Sequence, residues 1–344
     1  MTLQEVREKA KGRLGYCVSC PVCDGRACKN TIPGPGAKGT GEVSTKNYEA
    51  WQDIDLEMDA IAGGNEIDTT FELFGKKFAL PVFAGPVANI RGNYSKMYKE
   101  QTYYEILVNG CKEAGICAWT GDGIDEAFME YSLAAIKKCG GMGIPSIKPW
   151  NVEKMQKKLA MVKESGAFAV ATDIDSIGHP DFKLGDGTVQ PLSASDLEKV
   201  IKSTDLPFIV KGIMNVKSAK KAIDAGAKAI VVSNHGGRVL DETPATAWVL
   251  KEIADFAKGK CLVFVDGGIR TGRDVFKALA LGADAVLIAR PFVQVVFGDA
   301  EDGILTFVES LKEELKDTMY LCGARKLSDI TPDMVRVVKG GFAC

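Results

Sequence analysis

The chain has 344 residues, 46% of them hydrophobic and 26% charged, with a formal net charge of −2 at pH 7. That length allows one large α/β domain or two small ones, and the near balance of charge excludes a nucleic-acid or membrane-surface field. No apolar run reaches the length of a membrane span and the polar start MTLQEVREKAKGR does not read as a signal peptide, so a cytoplasmic protein without membrane or nucleic-acid partners is expected.

Residues 1–77 lack the pattern of the rest and read as a cysteine- and glycine-rich segment covering the domain formed by residues 78–344. Cys17, Cys20, Cys23 and Cys28 stand in YCVSCPVCDGRAC with the spacing C-x2-C-x2-C-x4-C. Four thiolates so close suit zinc or an iron–sulfur cluster. Reduced thiols or a redox-active pair are the alternatives, and a disulfide framework is the weaker reading. Cys111, Cys117, Cys139, Cys261, Cys322 and Cys344 are scattered and expected to pack as small hydrophobes. GPGAKGTGE (34–42) reads as a flexible glycine-rich connection rather than a phosphate loop. LEMDAI reads as a short helix and TTFELFGKKF as a hairpin, placed to plug one end of the sheet that follows.

From about residue 78 the text alternates between short apolar runs and amphipathic stretches. Eight runs occur: 80–85, 116–119, 144–147, 167–174, 206–210, 229–232, 261–265 and 285–289. Asn151 and Asn215 fit helix N-caps, and Ser195 with Glu198 fits a capping box. A weak repeat opens every second run: Gly166-Ala-Phe-Ala-Val, Gly226-Ala-Lys-Ala-Ile, Gly282-Ala-Asp-Ala-Val and, more loosely, Ala114-Gly115-Ile-Cys-Ala. Each glycine suits the left-handed end of a helix. Strands that are apolar without strict alternation suit a parallel sheet buried on both faces. The expected fold is an eight-stranded parallel (β/α)8 TIM barrel, with an open doubly wound sheet as the alternative.

In such a barrel chemistry gathers at the C-terminal strand ends. Those positions hold Lys148, Asp173, Asp175, Lys211, Ser233-Asn234-His235, Asp266-Gly267-Gly268 and Arg290. Several charges there together point to a polar ligand, because burial of unpaired charge is costly. DGGIRTG (266–272) and Arg290 suggest a phosphate held by backbone N–H groups, a helix start and arginine. Lys211 suits a Schiff base, a carboxylate pair with Asp175 or Asp266, or stabilisation of an electron sink. His235, flanked by glycines, suits a base. Asp175 is placed to hold its other nitrogen, and Arg238 to grip a carboxylate. His179 reads as a loop residue that could also face the mouth.

SNHGGR, the lysine of VKG, DGGIRTGRDVFKALALGADAV and the following RPF resemble the FMN-dependent α-hydroxy-acid dehydrogenase/oxidase family, most strongly between Pro207 and Val293. The resemblance implies FMN in the barrel mouth, with Pro86, Val87 and Ala88 near the ring and Lys211 against its N1/C2 edge. It implies Ser233, Asp266, Gly267, Gly268, Arg270, Ala289 and Arg290 around the rest of the cofactor. His235 would be the base, oriented by Asp175, and Arg238 would anchor the substrate carboxylate. Three departures stand out: Ile147 where the family has a tyrosine, no second arginine in DSIGHPDFKLG, and Ala289 where the family has glycine. Lys148 or His179 is placed to compensate, and Tyr16 is the candidate for a tyrosine over the mouth. The expected activity is oxidation of a small 2-hydroxy acid, in a homo-oligomer that family analogy makes a tetramer. The alternatives are an FMN-dependent isomerase or lyase without net redox change, resembling type 2 isopentenyl diphosphate isomerase, and a non-catalytic flavin or metal sensor.

Overall fold

All eight apolar runs become strands of one closed parallel barrel. The computed structural model describes residues 1–182 and 189–338. In chain order the elements are α1 (Leu3–Ala10), α2 (Glu42–Gln52), β1 (Ile54–Leu56), β2 (Phe71–Leu73), β3 (Lys76–Phe78), β4 (Val82–Ala84), α3 (Ile90–Asn93), α4 (Glu100–Glu113), β5 (Cys117–Thr120), α5 (Glu126–Lys138), β6 (Ile144–Ile147), α6 (Val152–Ser165), β7 (Val170–Asp173), α7 (Ala194–Lys202), β8 (Phe208–Ile213), α8 (Val216–Asp224), β9 (Ala229–Val232), α9 (Thr246–Ala257), β10 (Leu262–Val265), α10 (Gly272–Ala280), β11 (Ala285–Ile288), α11 (Arg290–Leu321) and β12 (Val335–Val337). The barrel runs in the order β4-β5-β6-β7-β8-β9-β10-β11 and closes by pairing β11 with β4. No helix among the described residues is long and apolar enough to cross a membrane.

Side chains alternate across each strand. Phe83, Trp119, Ile144, Ala171, Ile209, Val231, Phe264 and Leu287 fill the barrel interior, while Val82, Ala118, Val210, Val232, Val265 and Val286 belong to the outer core beneath the helices. The β2–β3 hairpin closes the lower end of the interior: Phe78 stands edge-on to Phe83 with ring centroids 5.2 Å apart. The hairpin expectation holds. The helix expected over LEMDAI does not form, because β1 instead pairs antiparallel with β12.

The repeated glycines sit where the turn requires them, with Gly115, Gly166, Gly226 and Gly282 at φ between +73° and +102°. Asn151 and Asn215 cap α6 and α8 as expected. The cap of α7 is Ser193, two residues before the expected Ser195: its Oγ accepts from the N–H of Asp196, the third helical residue. Of the scattered cysteines, Cys111, Cys117, Cys139 and Cys322 are buried and Cys261 half-buried; Cys344 lies outside the described residues.

Residues 1–52 lie on the barrel rather than apart from it. α1 packs against α11. The 34–42 segment is no loose connection: residues 34–37 are buried. Beyond it, α2 docks on the β10 end, where Trp51 Nε1 donates to the Gly267 carbonyl at 2.7 Å.

Candidate active site

The C-terminal strand ends open into a cavity of about 350 Å³. Lys148 follows β6, Asp173 ends β7, Lys211 lies in β8 directly opposite Asp173, and His235 follows β9. Asp266 through Gly268 follow β10, and Ala289 with Arg290 follow β11. All of these line the cavity, as do Pro86, Val87, Ala88, Arg238 and Arg270. Asp175, Ser233 and Asn234, also expected at the strand ends, do not line it. Asp175 stands behind His235, and Ser233 stands beneath it, its Oγ accepting from the His235 N–H at 3.1 Å.

His235 opens a turn in which three successive residues take left-handed backbone: φ is +56° at His235, +65° at Gly236 and +81° at Gly237. Glycine takes this conformation without strain, whereas a histidine there costs on the order of 1 kcal/mol. The turn is stabilised by the packing around it: a Cβ on Gly237 would lie 2.9 Å from the Cβ atoms of Ala37 and Val43. The result fixes the imidazole. Its Nδ1 lies 3.0 Å from Asp175 Oδ1 and its Nε2 lies 4.0 Å from Asp173 Oδ2. With Nδ1–H donating to Asp175, the Nε2 lone pair is free to accept a proton. Burial holds the imidazole well below its ordinary pKa; the charges of Lys211 and Lys148 add to that, and Asp173 opposes it. Asp175 comes this close because its neighbour in β8 is glycine: a Cβ on Gly212 would lie 2.7 Å from that of Asp175.

The charges interlock. Lys148 Nζ lies 2.6 Å from Asp173 Oδ2, and Lys211 Nζ lies 3.5 Å from Asp266 Oδ2. Burial works against the Lys211 charge, yet Asp175, Asp266 and Asp173 together raise its pKa above the ordinary lysine value. Burial raises both Asp175 and Asp266, and Lys211 counters it. Lys211 therefore stays cationic in an otherwise apolar strand.

Arg238 lines the cavity, but the chain itself already holds its guanidinium. Nε donates to His179 Nε2 at 3.1 Å, Nη1 to the Gly34 and Gly36 carbonyls at 2.6 and 2.9 Å, and Nη2 to Asn93 Oδ1 at 3.4 Å. His179 faces the mouth: it is 8% exposed, with its ring centroid 5.7 Å from that of His235.

The anion-binding end differs from expectation in one respect. Thr271 and Asp274 close the start of α10 with a capping box, and the Gly272 N–H donates to Glu314. Those backbone donors are taken. The start of α11 carries no side-chain cap at Ala289, so the helix end offered to an anion is the one after β11. Gly267 and Gly268 adopt φ of +91° and +86°, and a Cβ on Gly268 would lie 2.0 Å from the Asn47 carbonyl oxygen. This bare-backbone cradle, two cavity-lining arginines and a buried Asp266 Oδ1 without a partner among the described residues suit the phosphate and hydroxyl groups of FMN.

Sequence reasoning missed three residues. Asn47 on α2 exchanges two side-chain hydrogen bonds with Asn234 at 2.8 and 3.0 Å, tying that helix to the histidine turn. Asp122 accepts from Trp150 Nε1 and Lys158 Nζ at 2.6 and 3.0 Å; the TGDG stretch at the β5 end was its signal. Tyr94, 5% exposed and with burial pushing its pKa up to about 12, lines the mouth where Tyr16 was expected. Tyr16 is 49% exposed and is not among the lining residues. Ile147 is wholly buried, leaving Lys148 as the third-strand group in the cavity. The stretch examined for a second arginine falls partly on residues 183–188, outside the described residues.

Comparison with known proteins agrees with this geometry. A family model described as FMN-dependent dehydrogenase matches residues 35–181 and 146–337. Mouse 2-hydroxyacid oxidase 2 is 41% identical over 334 residues, covering 88% of this chain and 92% of that protein. The 4-hydroxymandelate oxidase of Amycolatopsis orientalis is 30% identical over 344 residues, covering 88% and 94%. A peroxisomal (S)-2-hydroxyacid oxidase of Arabidopsis thaliana is 48% identical over 144 residues, a match spanning 42% of this chain and only 40% of that relative's length. Among solved structures, mandelate oxidase with a C4a-OH-FMN adduct superposes with a TM-score of 0.74 at 29% identity, covering 86% of this chain and 92% of that one. Flavocytochrome b2 with sulfite bound gives 0.77 at 25% identity, covering 88% and 80%. With the barrel, the glycine cradle and the family match together, the chain belongs to the FMN-dependent dehydrogenase family.

Proposed function

We propose that this chain oxidises a small 2-hydroxy acid to the 2-oxo acid, with His235 as the base. The observation that carries the reading is the cavity-lining imidazole whose Nδ1 is held 3.0 Å from Asp175. FMN, when bound, supplies the acceptor for the two electrons that leave the substrate. Lys211, Asp266, Gly267, Gly268, Ala289, Arg290 and Arg270 would hold it, with Pro86, Val87 and Ala88 along the ring. Ser233 acts on that set from behind, through Asp266 and the His235 N–H. Lys211 keeps its positive charge where negative charge develops. His235 Nε2 takes the substrate proton, and Asp175 stabilises the imidazolium that results. Arg238 binds the substrate carboxylate, turning part of its guanidinium from the 34–36 carbonyls, and Lys148 supplies a second cation. Family analogy supports a homo-oligomer, and the balanced charge fits a chain without nucleic-acid partners.

His235→Ala is the direct test. The purified variant is expected to keep its yellow flavin and lose anaerobic bleaching by 2-hydroxy acids. Bleaching at the wild-type rate refutes the assignment.

A further inference from the structure

The segment carrying Cys17, Cys20, Cys23 and Cys28 contributes no side chain to the cavity wall, yet its backbone is tied to the anion-binding end. Arg270 Nε donates to the Cys23 carbonyl at 2.7 Å. Gly25 packs so tightly that a Cβ there would lie 2.5 Å from Ser44 Oγ, the atom that accepts from Arg290 Nη1 at 3.0 Å. On the outer side, Arg7 Nη1 donates to the Pro21 carbonyl at 2.9 Å and Ser19 Oγ to the Arg7 carbonyl at 2.8 Å. Arg270, at the cavity's anion end, therefore also holds the cysteine segment, and the segment packs on the serine that Arg290 uses.

The four thiols come from one short folded stretch, Cys23 buried and Cys17, Cys20 and Cys28 half-buried. Arg270 and Arg7 donate to carbonyls of that stretch, at Cys23 and Pro21, so cations stand beside it, as clustered thiolates require. Next to Cys17 stands Gln294, 1% exposed, whose Nε2 lies 3.7 Å from Cys17 Sγ and whose Oε1 has no partner among the described residues. The spacing C-x2-C-x2-C-x4-C carries the two x2 steps of the cluster-binding run of ferredoxins, and four thiols complete the ligand set of one cubic cluster.

We propose that Cys17, Cys20, Cys23 and Cys28 ligate a four-iron, four-sulfide cluster beside the Arg270–Arg290 end of the cofactor cavity. Its task is to pass electrons singly to a one-electron acceptor. The electron-transfer part rests on the oxidation proposed above; the ligation part does not. One 2-hydroxy acid gives up two electrons and two protons. Two molecules of a one-electron carrier, such as a small haem protein, each take one electron, and the cluster ends in the state in which it began. Gln294, donating to a ligand sulfur, tunes its potential.

Protein purified without oxygen, with its FMN, is analysed for iron and acid-labile sulfide and examined by electron paramagnetic resonance after reduction. About four of each per chain are expected. Cys20→Ser is expected to lose both, to keep its FMN and its bleaching by substrate, and to lose electron delivery to cytochrome c. Retained FMN and bleaching show that the variant is folded. FMN-replete wild-type protein holding neither iron nor sulfide, or holding zinc in their place, overturns the proposal, as does undiminished cytochrome c reduction by Cys20→Ser. Wild-type protein that holds the cluster but whose flavin no 2-hydroxy acid bleaches counts against the proposed oxidation and leaves the cluster standing.

Discussion

At the scale of single residues, the site is a balance of buried charge around one neutral base. Burial, reinforced by two lysines and Arg238, holds His235 well below its ordinary pKa of 6.5, so the proposed base keeps its free lone pair as the medium turns acid. The acid limb of the pH profile for anaerobic flavin bleaching is expected well below pH 6.5. Lys148→Met removes one of those cations and leaves Asp173 uncompensated beside the ring. Both changes favour the imidazolium, so the acid limb is expected to move up toward pH 6.5. Stopped-flow bleaching across pH 5–8 checks this, and an unmoved limb would show that Lys148 does not act on the base. Lys211→Met is expected to make the bound flavin harder to reduce, by on the order of 60 mV or about 3 kcal/mol for two electrons, in a redox titration. The chemistry-bearing residues were legible in the sequence because each follows an apolar run with a charge, a pattern desolvation rarely allows. How Arg238 is engaged was not. Its partners Gly34 and Gly36 lie more than 200 residues earlier, and no local pattern reports a contact at that separation.

At the scale of elements, loops are held by residues whose ionisation or size matters. Glu100, the first residue of α4, accepts from the Ile90 N–H at 2.9 Å and thereby braces the loop after β4 that lines the cavity. Burial raises its pKa to about 7, against backbone hydrogen bonds that lower it. The folded state thus holds this proton more tightly than the unfolded chain. Its stabilising effect is full below about pH 4.5 and is lost as pH rises through about 7. Glu100→Gln is expected to remove that loss, on the order of 2 to 3 kcal/mol between pH 5 and 8, in denaturant midpoints at the two pH values. Gly268→Ala meets the Asn47 carbonyl at 2.0 Å from a left-handed backbone. It is expected to cost about 1 to 3 kcal/mol and to release FMN, as read by cofactor content after gel filtration. Strand positions and the Asn151 and Asn215 caps were legible because they rest on local chemistry, whereas the α7 cap falls at Ser193, two residues before the expected Ser195. The α10 start was misjudged as an open anion site: Asp274 in its own first turn and Glu314 on α11 fill it, and only the first of these is local.

At the scale of the molecule, stability resides in the aromatic interior that the hairpin closes. Phe264 and Phe83 meet there with centroids 5.9 Å apart, and Phe264→Ala is expected to cost about 3 to 5 kcal/mol in chemical denaturation. The barrel was legible from eight spaced runs and a repeat on alternate strands. That residues 1–77 cover the barrel was also read from the sequence, but where α1 and α2 dock was not, since they find partners on α11 and after β10. That arrangement has a consequence during synthesis. While the ribosome works, α2 can settle once the histidine turn and α9 have emerged, whereas α1 waits for α11, the helix it packs against. The first helix made is therefore the last of the leading segment to be fastened down.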